Sequence, residues 1–96
     1  MTAYVIAEVE VTDPDGYRAY GPPTSATVAQ YGGRFIVRGG ATEALEGEAP
    51  KRIVVLEFPD LAAARRWYQS PEYAELRALR WRSATTRLFL IEGTPG

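Results

Sequence analysis

The sequence contains neither cysteine nor histidine. Without cysteine there is no disulfide framework, no thiol nucleophile and no thiolate metal site. Without histidine there is no Ser-His-Asp triad, no Cys-His pair and none of the usual zinc or haem ligation, so no metal and no cofactor is expected. Lysine is nearly missing as well: Lys51 is the only one, and every other cation is an arginine. Arginine is favoured where a cation is partly buried or forks onto a carboxylate. A large excess of charge is also lacking. The net charge is −1, so no strong field draws nucleic acid or anionic lipid. No basic flank precedes a long apolar run near the N-terminus. Neither a signal peptide nor a membrane span is expected, and the protein reads as cytoplasmic.

What is present is the composition of an ordinary globular protein, 46% hydrophobic and 24% charged over 96 residues. That length supports one core, hence one domain over 1–96. Ala3–Val11 alternates strictly and predicts a half-buried strand. Asp13 suits a helix N-cap and Pro14 the first helical position. Gly21-Pro22-Pro23 is expected to break or kink that helix, with a second piece from about Thr24 to Tyr31. Gly32 and Gly33 punctuate the helix end. Arg34–Val37 predicts a second strand, extended past Gly39-Gly40 into Thr42–Leu45. Arg52–Phe58 predicts a third strand ended by Pro59, and Asp60 caps a helix Leu61–Gln69. Ser70 and Pro71 restart a helix to about Arg82, with Tyr73, Leu76 and Leu79 inward. Thr86–Glu92 is the last strand. The order β-α-β-β-α-β predicts an α+β, ferredoxin-like fold with helices on one side of an antiparallel four-stranded sheet.

Strand parity separates two faces. Val5, Ala7, Val9, Val11, Phe35, Val37, Val54, Leu56, Phe58, Leu88 and Leu90 form a hydrocarbon face for the helices. Tyr4, Ile6, Glu8, Arg34, Ile36, Arg38, Ile53, Val55, Glu57, Arg87, Phe89 and Ile91 form the other. The second face is too apolar for solvent and too charged for a dry core. Enclosure between two copies of the sheet satisfies both demands, which predicts a homodimer with polar groups around a cavity.

Within that face Glu8 and Glu57 are the candidate acid–base pair, since neighbouring carboxylates raise one another's pKa. The competing reading is a structural ion-pair network with Arg34, Arg38 or Arg87. Arg34 and Arg38 are candidate grips for a carboxylate, phosphate or enolate, joined by Arg87 and Tyr4, with Tyr17 at a pocket mouth. The remaining rings, Tyr20, Tyr31, Trp67, Tyr68 and Tyr73, read as core and pocket wall. Ser70 reads as a cap. Arg65, Arg66, Arg77, Arg80 and Arg82 read as a solvated helix surface.

The segments VTDPDGYRAY, AQYGGRFIVRGG, LEG, VVLEFPD, WYQSPEY and FLIEG, in this order and spacing, resemble the family catalogued as domain of unknown function 1330 in the dimeric α/β-barrel superfamily. The resemblance spans nearly the whole chain. It implies a ferredoxin-like protomer whose sheet pairs with that of a second copy to form a barrel. It implies no particular reaction, although related superfamily members include cofactor-independent monooxygenases, lactone isomerases and polyketide cyclases. Three readings of function follow. The first is a dimer binding a small organic molecule with cofactor-independent acid–base chemistry, Glu8 or Glu57 taking a proton and Arg34 or Arg38 holding the anion. The second is a non-catalytic binding module, and the third a purely structural dimer.

Overall fold

The computed structural model describes residues 1–95. Seven elements follow in order: β1 (Ala3–Val11), α1 (Pro14–Gln30), β2 (Arg34–Arg38), β3 (Ile53–Phe58), α2 (Leu61–Gln69), α3 (Pro71–Ser83) and β4 (Ala84–Glu92). The strands form one antiparallel sheet in the order β2-β3-β1-β4, with the helices over one face, so the fold is ferredoxin-like. The second helical segment is divided, because Ser70 ends α2 and caps α3. Its hydroxyl donates to the Trp67 carbonyl and accepts from the Tyr73 amide at 3.2 Å. No helix among the described residues is long and apolar enough to cross a membrane.

The core forms where the alternating strands meet the helices. Val5, Leu56 and Phe58 from the sheet pack against Val28 of α1, Ala63, Ala64 and Trp67 of α2, and Tyr73 of α3. The small residues of α2 let it approach the sheet closely. Trp67 fills the space above, its ring 4.2 Å from that of Tyr73 and 5.7 Å from that of Phe58. The indole Nε1 donates to Thr27 Oγ1 at 3.1 Å, which satisfies its polar atom inside the core. Asp13 and Asp60 cap α1 and α2 as expected, accepting from Gly16 N and Ala63 N.

Three expectations are corrected. First, α1 runs unbroken through Gly21-Pro22-Pro23. The carbonyls that Pro22 and Pro23 leave without a helical donor belong to Arg18 and Ala19, four residues earlier. Both residues are exposed, where a carbonyl without a helical donor costs least. Gly21 also carries no Cβ to meet the Pro22 ring, the clash that usually forbids helix before proline.

Second, β2 ends at Arg38 and Thr42–Leu45 is not a strand. The last β2–β3 pair is Arg38 with Val54, and β3 begins at Ile53. Residues beyond Gly40 therefore have no ladder partner. Gly39, at φ +69°, turns the chain out of the sheet.

Third, β2 contains a bulge. Phe35 pairs with Leu56, but Val37 pairs with Val55, so Ile36 is an extra residue. Parity is reversed after it. Val37 lies on the open face and Arg38 on the helix face, the opposite of what strict alternation gives.

Candidate functional site

The bulge decides where a site can be. Arg38 turns toward α1, lays its guanidinium carbon 4.0 Å above the Phe35 ring and donates to Ser25 Oγ at 3.3 Å. It lines the rim of a pocket of about 90 Å³ between α1 and the sheet. The floor is apolar: Val5, Ala7, Val9, Val54, Leu56 and Leu88 from the strands, with Phe35 and Trp67. The wall from α1 is Tyr17, Tyr20, Gly21, Thr24 and Ser25, spaced by helical turns on one face. Tyr17 and Tyr20 stack with ring centroids 5.5 Å apart.

Two further arginines complete the lining, Arg52 and Arg80. Arg52 has the face parity of Val54 and Leu56. Its carbonyl accepts from Val9 N at 2.8 Å, and its guanidinium lies 5.7 Å from the Tyr17 ring. Its Nε is buried without a hydrogen-bond partner among the described residues. Gly39 makes room for it: a Cβ there would lie 2.3 Å from Arg52 Nη1.

Arg80 is 3% exposed, which corrects its reading as solvated surface. Its Nε donates to Tyr73 Oη at 3.3 Å, and Nη1 donates to Thr86 Oγ1. Tyr73 in turn shares a hydrogen bond with Tyr20. Burial, helped by the neighbouring Tyr73, pushes the Tyr20 phenol far above its ordinary pKa. Burial also raises Tyr73, against the pull of Arg80 and of the Tyr20 hydrogen bond. Burial opposes the charge on Arg80, yet the oxygens of Tyr73 and Tyr20 outweigh it and hold its pKa above the usual value. The pocket therefore contains arginines, and its Tyr20 phenol keeps its proton. No aspartate or glutamate lines it.

The other predicted site residues lie elsewhere. Glu8 pairs with Arg87 at 3.0 Å and Glu57 with Arg34 at 2.8 Å, each across adjacent strands on the open face. The structure does not bring Glu8 and Glu57 together. Tyr4 stands opposite Glu57 across the β1–β3 ladder. Glu8 is four residues further along β1, about 13 Å at strand spacing. Arg34 and Arg38 do not share a direction either, because the bulge separates them. Of the predicted residues, only Tyr17 and Arg38 meet in the pocket.

Arg52, Arg80 and Ser25 join the site without a sequence expectation, whereas Tyr20, expected as core and pocket wall, does line the pocket. A signal existed for two. Arg52 is the one charge on an otherwise hydrocarbon strand face. Arg80 follows Tyr73 by seven residues, two helical turns, and so falls on the inward stripe of α3.

A family model described as Domain of unknown function (DUF1330) matches residues 2–94. The chain belongs to the DUF1330 family. No curated protein matches it. Among solved structures, this DUF1330 chain is similar to RPA0582, a protein of unknown function from Rhodopseudomonas palustris. That match has 22% identity and a TM-score of 0.75 over 99% of this chain and 84% of the other. It is also similar to SnoaB, a cofactor-independent oxygenase from Streptomyces nogalater. There the identity is 16% and the TM-score 0.69, over 99% of this chain and 95% of SnoaB. Rv0793 from Mycobacterium tuberculosis matches at 19% identity and a TM-score of 0.56, over 100% and 98% of the two chains. At these identities the likeness shows a shared fold.

Proposed function

We propose that this DUF1330 chain is a homodimer that holds a small organic molecule in the pocket between α1 and the sheet of each protomer. The observation that carries the reading is the pocket itself: an apolar floor of strand side chains, an aromatic and hydroxyl wall from α1, and a few placed polar groups, the usual composition of a ligand site. Its volume suits a small organic group, with a ring reaching out through the mouth. A cavity of roughly 150 Å³ accepts benzene, and this pocket of about 90 Å³ has an open mouth into which a ligand extends.

The dimer uses the open sheet face. Ile36, Val37, Phe89 and Ile91 are 40–51% exposed there, beside the Glu8–Arg87 and Glu57–Arg34 pairs. A face with both signs of charge and an apolar band is self-complementary about a two-fold axis. In this reading Glu8 and Glu57 are interface ion pairs, and the pocket has no carboxylate base. The chemistry it supports is stabilisation of an anion by guanidinium and phenol donors, without a cofactor.

The test is a native mass spectrometry screen of small organic molecules against the wild-type protein and Ser25→Phe, whose ring would fill the pocket mouth. Binding by the wild type and loss in the folded variant are expected. Equal binding by both would place the ligand elsewhere and sink the reading.

A further inference from the structure

Resting on the pocket reading above, we infer that the ligand is an organic anion whose carboxylate is gripped at the rim by Arg52 and Arg38. The pocket lining holds Arg38, Arg52 and Arg80 and no acidic residue. The salt bridges among the described residues are Arg18–Asp15, Arg34–Glu57 and Arg87–Glu8, and none includes a pocket arginine. Arg38 is exposed, Arg52 half-buried and Arg80 buried, and three cations around one apolar pocket repel each other. An anionic ligand relieves that repulsion.

The backbone sets two of these groups side by side on the helix face of the sheet, Arg38 lying over Phe35 in the unliganded pocket and free to swing from it toward a ligand. Arg38 stands opposite Val54, and Arg52 is two residues before Val54 on the same face. That diagonal spacing is about 7–8 Å between backbones, a distance two guanidiniums close over one carboxylate. Arg52 Nε is buried and unpartnered among the described residues, so the protein alone does not satisfy this guanidinium. Gly39 is the specificity-determining position behind it. Its positive φ and missing Cβ leave the space that the guanidinium occupies. The apolar body of the ligand lies inward over Phe35, Val54 and Leu88, with Tyr17 across the mouth.

The experiment compares three single-ring probes by isothermal titration: benzoate, its neutral isostere benzamide, and the cation benzylamine. The wild type is expected to bind benzoate about ten- to a hundredfold more tightly than benzamide, the usual gain from charge-assisted hydrogen bonds. Arg52→Gln is expected to lose most of that preference and to leave benzamide binding nearly unchanged. Gly39→Ala should do the same by displacing the Arg52 guanidinium. Equal affinity for benzoate and benzamide, or preference for benzylamine, overturns the anion inference while the pocket reading stands. Failure of all three probes to bind at millimolar concentration overturns both. Benzoate selectivity that survives in Arg52→Gln and in Arg38→Gln overturns the assignment to this rim. Should a variant fail to fold, the wild-type comparison still decides the charge preference.

Discussion

Removing the apolar side chains from the open sheet face should separate the proposed dimer. Phe89 is 40% exposed and Ile91 51% exposed, so close to half of each side chain remains to be covered by a partner. Full burial of such a side chain is worth about 1.5–3 kcal/mol, so the uncovered part of each is worth roughly 0.6–1.5 kcal/mol. A two-fold interface counts each residue twice. Alanine keeps the Cβ, so the double substitution Phe89→Ala/Ile91→Ala should weaken dimerisation by about 2–4 kcal/mol. That is about 30- to 1,000-fold in the dissociation constant. Sedimentation velocity over a concentration series measures it directly. Leu45→Ala is the control: Leu45 is 90% exposed but lies outside the sheet, so its removal should leave the dimer unchanged. The reasoning fails if the wild type is a monomer at micromolar concentration. It also fails if the double variant and the control dimerise as tightly as the wild type.

Three further outcomes are expected. Gly33→Ala should destabilise by about 1–3 kcal/mol through overpacking. Its new Cβ would lie 2.5 Å from Cε1 of the buried Phe58 ring, and thermal denaturation reads the loss. Arg80→Met should lower the melting temperature of the ligand-free protein, because Tyr73 and Thr86 lose the guanidinium that they hold charged inside the core. The same variant should bind benzoate less tightly; a rise in melting temperature would mean that burial of the charge outweighs the Tyr73 and Thr86 contacts. Alkaline titration should reveal Tyr20 and Tyr73 as late phenols, since burial raises both above the ordinary value of 10.0. Their contribution to stability is intact below pH 10, where unfolded phenols keep their protons. It declines as pH rises further, by up to about 1.4 kcal/mol per pH unit for each group. Tyrosinate absorbance should thus rise in two stages, the second coinciding with unfolding by circular dichroism.

The fold was legible because its signals are local and repeated. Ala3–Val11 alternates without a lapse, Asp13, Asp60 and Ser70 cap the helices they precede, and strand order follows from the ferredoxin-like arrangement. The site was less legible because it depends on one irregularity. The Ile36 bulge reverses the parity of β2, and nothing in Arg34-Phe35-Ile36-Val37-Arg38 marks it. The register is set by how β2 meets β3, which is a tertiary property. The Pro22-Pro23 error has a similar origin. A proline pair breaks a helix only where the freed carbonyls are costly, and exposure on α1 keeps that cost low. Arg80 was hidden by its chemistry: a charge on an inward stripe reads as surface until phenol and threonine partners are seen beside it.

The position of benzoate in a co-crystal tests the account most directly. The pocket between α1 and the sheet is predicted to hold it, with the carboxylate against Arg52 and Arg38 and the ring over Phe35 and Val54. Benzoate bound instead on the open sheet face, between Arg34 and Arg87, would contradict the account.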